Sequence, residues 1–164
     1  MTRFLCDNAA SPTRRLALKG MLSLVGLTTL GASAAFAQTR PLMEVWKDPN
    51  CGCCKDWVKI MSDAGFTIKT YDTGNRAKRK QLGLPEKLGS CHTALVNGYV
   101  VEGHVPVSAI QRLLKEKPTA LGITVPGMPI GSPGMDGPEY GGRKDPFNVL
   151  LVQTDGSTRV WQVG

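Results

Sequence analysis

Four cysteines of this 164-residue chain are spaced in a way that favours one shared thiolate site. Three of them lie in the segment Cys51-Gly52-Cys53-Cys54, and the fourth, Cys91, lies about forty residues later. Two ordinary disulfides between such close neighbours would crosslink almost none of the chain. Thiolate sulfurs are the ligands that Cu(I), Zn²⁺ and iron–sulfur clusters prefer. The spacing therefore indicates a soft-metal site.

The cysteine segment contains two overlapping patterns with different chemistry. Cys51 and Cys54 form the C-x-x-C spacing of a thiol–disulfide oxidoreductase, in which Cys51 would attack and Cys54 would resolve. Cys51 and Cys53 form C-x-C, a spacing suited to soft metals. The following residues predict a helix that starts here, and the N-terminus of a helix stabilises thiolates. The pattern alone leaves both the metal-binding and the redox hypothesis open.

Copper fits the crowding of these sulfurs better than zinc does. A tetrahedral zinc site more often uses two separated C-x-x-C pairs. Three cysteines within four residues instead favour bridging thiolates, in which one sulfur binds two or more Cu(I) ions. We therefore expect more than one Cu(I) per chain. A zinc or iron–sulfur module remains an alternative on ligand type alone.

Two histidines and two methionines are further candidate copper ligands. His92 is next to Cys91, and His104 precedes the last predicted core helix. Met128 and Met135 lie in a Gly/Pro-rich loop that could fold over the site and supply thioether sulfurs. Methionines also serve as packing residues, so a purely structural role is the alternative for this pair.

Apolar periodicity predicts an α/β domain that would bring the cysteines together. The predicted order is strand, helix, strand, helix, hairpin and helix, with a tight turn at Asn97-Gly98 in the hairpin. This βαβ-ββα order is typical of a thioredoxin-like fold, with another small α/β sandwich as the alternative. The predicted elements are the strand Met43–Lys47, a helix ending at Gly65, the strand Phe66–Tyr71, a helix from Arg76 to Leu82, the strands Thr93–Val96 and Tyr99–Val101, and a helix after Pro106.

The residues that enter the third strand predict the position of the fourth cysteine. In a thioredoxin-like fold this turn ordinarily carries a proline that packs against the C-x-x-C pair. Here the residues are Ser90-Cys91-His92-Thr93, with a cysteine and a histidine in that place. Cys91 is therefore predicted to lie beside the C-x-x-C pair. Since that proline normally presents the substrate backbone, its absence argues against a thiol–disulfide oxidoreductase.

Two features follow the minimal core. Val125 to Arg143 is predicted to be a Gly/Pro loop without secondary structure, and loops of that length are usually functional or mobile. Phe147–Gln153 and Thr158–Val163 predict an added C-terminal β-hairpin. The loop, with its two methionines, is the candidate cover of the thiolate site.

Four segments in combination resemble the small periplasmic metal-binding proteins of copper-resistance gene clusters, the CopG type. They are Cys51-Gly52-Cys53-Cys54-Lys55, Ser90-Cys91-His92-Thr93-Ala94, Gly98-Tyr99-Val100-Val101-Glu102-Gly103-His104-Val105-Pro106 and Pro126-Gly127-Met128-Pro129-Ile130-Gly131-Ser132-Pro133-Gly134-Met135. The resemblance implies a thioredoxin-like fold, Cu(I) held by the cysteines, which could form a multi-copper cluster, and copper handling in the periplasm. Periplasmic copper efflux or carrier proteins would be its protein partners. Whether the chain is a carrier or a copper-dependent oxidoreductase stays open.

Residues 1–37 are predicted to be a cleaved export signal, which leaves residues 38–164 as a single domain. Basic residues precede an apolar run from Met21 to Phe36, and Ala35-Phe36-Ala37 matches a signal-peptidase site. The run is too weakly hydrophobic for a good membrane span, so no stable span is expected after processing. The stretch from Thr13 to Lys19 also resembles a twin-arginine signal, so twin-arginine and general secretory export are both open. The expected location is the periplasm.

The charge of the mature chain does not suggest a nucleic-acid partner. Four of the 20 Lys and Arg residues and one of the 13 Asp and Glu residues lie in residues 1–37, which leaves a net charge of +4. The basic run from Asn75 to Lys80 is typical of a solvated helix face, and no aromatic residues alternate with it. Copper ions are therefore the expected partner.

Overall fold

The structure, a computed structural model, describes residues 40–164, and the predicted export signal lies outside the described residues. Seven strands in this range form one sheet, and three α-helices accompany it. None of these helices is long and apolar enough to cross a membrane. The elements are β1 (Leu42–Lys47), α1 (Gly52–Asp63), β2 (Thr67–Tyr71), α2 (Arg76–Gln81), β3 (His92–Val96), β4 (Tyr99–Glu102), α3 (Val107–Glu116), β5 (Gly122–Thr124), β6 (Asn148–Val152) and β7 (Thr158–Val163).

The sheet is mixed, and its strand order is β2-β1-β3-β4-β5-β6-β7. Strand β1 lies between β2, which is parallel to it, and β3, which is antiparallel, so that Val45 pairs with Thr70 on one side and Ala94 on the other. β4 is antiparallel to β3 and parallel to β5, and the remaining pairs are antiparallel. The chain is therefore a mixed α/β domain, as its sequence predicts.

The strands and helices of the first half lie close to their predicted positions. The predicted hairpin turn is present, because Asn97 and Gly98 both have positive φ angles, of 47° and 84°. Such angles match the two-residue turn that suits the twist of a hairpin. The C-terminal hairpin is also present, with each strand within one residue of its predicted bounds.

One strand, β5, was not predicted. It has three residues, too few to show a periodic pattern, and it joins the C-terminal hairpin to the rest of the sheet. Gly122 makes this possible, because a methyl group at its position would collide with the backbone of Val100 on β4. The added hairpin is consequently part of the same sheet.

The main core lies between one face of the sheet and the helices α1 and α3. Trp57 is fully buried there, and its indole N–H donates to the carbonyl oxygen of Val105 at 3.0 Å. Cys54, Trp57 and Met61 share the buried face of α1 at spacings of three and four residues. This face anchors α1 so that its first turn, which carries the cysteines, lies at one end of the core. The smaller second core lies on the other face of the sheet, around Leu84 and Leu88.

Candidate metal centre

The structure brings the four predicted cysteines together. Their Sγ atoms all lie within 4.8 Å of one another. Cys51 Sγ is 3.5 Å from Cys53 Sγ, and Cys54 Sγ is 3.3 Å from Cys91 Sγ. Cys51 and Cys54 form a disulfide in this structure, while Cys53 and Cys91 are free. Cys91 is about forty residues from the other three cysteines in sequence, but the fold places all four sulfurs in one cluster.

The first turn of α1 holds three of these sulfurs. Cys51 is the N-cap residue in an extended conformation, and Gly52 begins the helix. Cys51 makes no side-chain capping hydrogen bond, so its sulfur is not used to satisfy the backbone N–H groups of the helix. The first turn carries no acidic residue that would oppose a thiolate. Its free N–H groups and the helix dipole favour the deprotonated form of cysteine, which is the form that binds metals.

Cys91 belongs to a second group as well as to the sulfur cluster. Its Sγ lies 3.4 Å from His92 Nδ1 and 3.1 Å from His104 Nε2. The ligand atoms of these three residues also lie within 4.8 Å of one another. Both predicted histidines therefore lie next to the sulfur cluster, and each of them contacts Cys91 Sγ.

The ring of His104 is oriented by the methionine loop. Its Nδ1 lies 2.9 Å from the carbonyl oxygen of Pro133, which can only accept a hydrogen bond. The proton of the neutral ring must then sit on Nδ1, which leaves the lone pair of Nε2 directed at Cys91. A backbone carbonyl that fixes the tautomer in this way is the usual second partner of a metal-binding histidine.

Both histidines are buried and uncharged. Burial lowers the pKa of His92 to about 3, and the nearby His104 ring acts in the same direction. Burial also lowers the pKa of His104. Within residues 40–164, His92 Nε2 has no hydrogen-bond partner. Since neutral imidazole is the form that binds metals, these environments fit a soft-metal site.

The surroundings of Cys91 favour its protonated thiol over its thiolate. Burial, together with the neighbouring Cys53, raises the pKa of this thiol to about 12. A soft metal ion would supply the positive charge that this environment lacks, and it would displace the thiol proton on binding. The donor set of four sulfurs and two imidazoles therefore fits Cu(I).

The Gly/Pro loop packs directly against the first turn of α1. At Gly134, which has a φ angle of +81°, a Cβ atom would lie 2.8 Å from both the Cys53 carbonyl oxygen and the Trp57 nitrogen. Only glycine fits this close approach and this backbone conformation. Pro133, one residue earlier, makes the contact with His104. The loop therefore lies over the cysteine segment, as its predicted role as a cover requires.

The two predicted methionines differ in their surroundings. Met135 is 8% exposed, and its sulfur accepts a hydrogen bond from the Tyr140 hydroxyl at 3.3 Å. Met128 is 54% exposed. The loop thus presents one thioether to the protein and the other to solvent, although each follows a Pro-Gly pair.

A buried carboxylate behind Cys91 was missed at the sequence level. Glu102, at the end of β4, accepts hydrogen bonds from the Ser90 N–H at 2.7 Å and from the Thr93 hydroxyl at 2.5 Å. Its Oε1 also lies 3.1 Å from Arg79 Nε. Burial raises the pKa of Glu102 to about 7. The residues on both sides of Cys91 and His92 are therefore held by one side chain. The sequence feature that could have indicated it is a single acidic residue at the end of an otherwise apolar strand.

Comparisons with known proteins agree with this arrangement. The family model described as a protein of unknown function, DUF411, matches residues 88–135. No curated protein matches the chain in sequence. Two solved structures are similar, both described as copper resistance protein CopG. Form 2 has 39% sequence identity and a TM-score of 0.70, covering 76% of this chain and 98% of its own. Form 1 has 40% identity and a TM-score of 0.69, covering 75% and 96%. At this identity and coverage, the chain belongs to the CopG family of copper resistance proteins.

Proposed function

We propose that this protein binds Cu(I) in the periplasm and that it holds more than one ion at Cys51, Cys53, Cys54 and Cys91. The observation that carries the proposal is the convergence of four sulfur atoms within 4.8 Å of one another. Sulfurs this close can each contact more than one ion, which a set of separated ligands cannot do. Its role is to sequester copper, pass it on or cycle it between oxidation states.

His104 and His92 are the proposed nitrogen ligands. His104 supports this role best, because its Nε2 lone pair faces Cys91 and its Nδ1 is held by Pro133. His92 Nδ1 borders the same sulfur from the other side. Met135 is proposed as a thioether ligand, and its sulfur accepts a hydrogen bond from the Tyr140 hydroxyl in this structure.

A thioredoxin-like fold is proposed for the part of the chain from β1 to α3. The order β2-β1-β3-β4, with β1 parallel to β2 and antiparallel to β3, supports it. So does the position of Cys91, in the turn that enters β3 beside the helix that carries the C-x-x-C pair. We also propose that residues 1–37 are the cleaved export signal, and that copper efflux or carrier proteins of the periplasm exchange copper with the mature domain.

A thiol–disulfide oxidoreductase is the second candidate function, and one observation favours it. Cys51 and Cys54 form a disulfide, and the free thiol of Cys91 lies 3.3 Å from Cys54 Sγ. A Cys91 thiolate could attack Cys54, which would form a Cys54–Cys91 disulfide and release Cys51 as a thiolate. The same disulfide matters for copper binding, because Cys51 and Cys54 can act as thiolate ligands only after two electrons have reduced it.

Metal analysis of the protein isolated from the periplasm distinguishes these functions. The full-length gene product is expressed in cells grown with and without added copper, and copper, zinc and iron are measured per chain together with free thiols. We expect copper to predominate and the cysteines to become reactive toward thiol reagents only after a Cu(I) chelator is added. Bound zinc that does not change with copper supply, or a metal-free protein with a stable disulfide, would contradict the proposal. An engineered Cys51→Ser, Cys54→Ser chain is the control that lacks the C-x-x-C pair.

A further inference from the structure

Two hydrogen bonds join the segment that carries Met128 to the segment that carries Cys91. The Gly127 N–H donates to the carbonyl oxygen of Gly89 at 3.0 Å, and the Ser90 hydroxyl donates to the carbonyl oxygen of Gly127. Gly127 has a φ angle of +72°, a conformation that glycine adopts without strain. Cys91 follows Ser90 and Met128 follows Gly127, so these hydrogen bonds hold together the two backbone segments that carry the sulfur-bearing residues.

A surface groove connects Met128 to the sulfur cluster. The groove has a volume of about 410 Å³, and Met128, Gly127, Ser90 and Cys91 are among the residues that line it. Arg76, Arg79 and Glu86 line it as well. Since Arg79 is paired with the buried Glu102, Arg76 and Glu86 are the remaining charges of the lining, one of each sign. Cys54, by contrast, is fully buried. Cys91 is thus a cluster sulfur that solvent reaches along a route on which Met128 is exposed.

We propose that Met128 is the ligand that first receives Cu(I) from its donor and hands it to Cys91, and that this groove is the access port of the copper site. The inference rests on the proposed function, since it requires Cu(I) as the cargo. A thioether is a soft, neutral donor that binds Cu(I) but holds it less strongly than a thiolate does. It can therefore accept the ion at the surface without trapping it there.

The transfer is a ligand exchange without a redox step. A bond between Cu(I) and the external donor breaks as the bond to Met128 Sδ forms. The bond to Cys91 Sγ then forms as the Met128 bond breaks, and the proton of the Cys91 thiol passes to water. Copper remains Cu(I) throughout. Release to an acceptor follows the same steps in reverse, with the Cys91 sulfur regaining a proton.

This role predicts a kinetic effect without an effect on affinity. A residue that only lowers the barrier to exchange changes the forward and reverse rates by the same factor. Met128→Leu keeps the size and apolar character of the side chain but removes the sulfur donor. Met43→Leu is the matched control, because Met43 is a buried core methionine that pairs with Val96, at the end of β3 far from Cys91, and it is not a proposed ligand.

The experiment measures Cu(I) exchange with a soluble, coloured Cu(I) chelator by stopped flow under anaerobic, reducing conditions, in both directions. For Met128→Leu we expect uptake and release to slow together, by about tenfold, with the equilibrium constant unchanged. Met43→Leu should exchange at the rates of the parent protein. Met128→His, which restores a metal-binding side chain, should recover part of the rate.

Three results would overturn the inference. Parental exchange rates in Met128→Leu would show that copper does not pass through this residue. A loss of affinity without a matched slowing of uptake and release would make Met128 a resident ligand rather than an access ligand. If the parent protein bound no Cu(I) at all, the proposed function would fail together with this inference, whereas the first two results leave the proposed function intact.

Discussion

Cys91 Sγ lies 3.1 Å from Nε2 of His104, and this contact joins the four-cysteine cluster to the pair of buried histidines. Cys91 is the only residue shared by the two groups of potential metal ligands within residues 40–164. It comes from the turn before β3, whereas the other three cysteines come from the first turn of α1. The four sulfurs therefore come together only when the fold places the turn before β3 against the first turn of α1.

Cys91→Ser should impair copper binding about as severely as Cys51→Ser. Serine keeps the size of the side chain but removes the soft donor that lies 3.3 Å from Cys54. We expect both variants to bind fewer Cu(I) ions per chain than the parent when copper is counted after gel filtration. Ser90→Ala, which alters the neighbouring residue but no proposed ligand, is the control. A Cys91→Ser protein with the copper content of the parent would mean that Cys91 is not a ligand.

Gly134→Ala should destabilise the protein more than Gly65→Ala does. Both glycines have positive φ angles, so both variants suffer backbone strain of about 1–2 kcal/mol. A Cβ atom at Gly65 would meet open space, whereas one at Gly134 would meet the backbone of Cys53 and Trp57 at 2.8 Å. The collision should add about 1–3 kcal/mol to the destabilisation of Gly134→Ala, measured by urea unfolding.

Copper retention at the proposed site provides a second readout for the same pair of variants. Displacement of the loop would move the Pro133 carbonyl that orients His104. Gly134→Ala should therefore also weaken copper retention against a Cu(I) chelator, and Gly65→Ala should not. Equal stability and equal retention in the two variants would show that the loop does not depend on its contact with α1.

Glu102→Ala should be among the most destabilising single changes around the site. The substitution leaves the Arg79 guanidinium without its buried counter-ion and the Ser90 N–H without its acceptor. Breaking a buried ion pair by removing one partner costs about 3–5 kcal/mol. Glu116→Ala, which breaks a surface ion pair with Arg112, should cost less than about 1 kcal/mol. Similar free energies of unfolding for the two variants at pH 8 would contradict the role assigned to Glu102.

The stability of the metal-free, reduced protein should depend on pH through buried groups that oppose each other, His92 and His104 on one side and Glu102 on the other. The pKa of His92 is lowered from 6.5 to about 3, so the unfolded state binds the extra proton and stability rises with pH across this window. The pKa of Glu102 is raised from 4.5 to about 7, so the folded state binds the extra proton and stability falls as pH rises across that window. Between pH 4.5 and 6.5 the two contributions oppose each other.

Substitution of Glu102 by glutamine should expose the histidine contribution. In Glu102→Gln the free energy of unfolding should rise more steeply between pH 4.5 and 6.5 than in the parent, by up to about 1.4 kcal/mol per pH unit for one proton. His92→Gln should change the slope in the opposite direction. Urea titrations of each protein at several pH values provide the comparison. Parallel pH profiles in all three proteins would show that neither group titrates differently in the folded state.

Much of this arrangement could be predicted from local patterns in the sequence. The Asn97-Gly98 turn, the amphipathic helix after the cysteine segment and the C-terminal hairpin each carry a short-range signal, and all are present. The position of Cys91 could be predicted as well, because it follows from the order of strands and helices rather than from any local feature. A short-range signal is therefore sufficient to predict a single turn, helix or hairpin, and the order of these elements is sufficient to predict where Cys91 lies.

The unpredicted features depend on contacts between distant residues. Strand β5 has three residues and forms because Gly122 can approach Val100 closely. The carboxylate of Glu102 gains its role only when Ser90 and Arg79 are folded around it. The different exposures of the two loop methionines follow from how the loop packs, since both have the same Pro-Gly neighbours. None of these relationships has a counterpart in local sequence.

The most direct test of the central proposal is an anaerobic titration of the reduced protein with Cu(I), followed to saturation. The proposal predicts that more than one copper ion binds per chain, because sulfurs within 4.8 Å of one another can bridge ions. X-ray absorption at the copper edge of the saturated protein should then show sulfur neighbours and a short copper–copper distance. Saturation at a single ion per chain, with no copper neighbour in the absorption spectrum, would contradict the proposed multi-copper thiolate site.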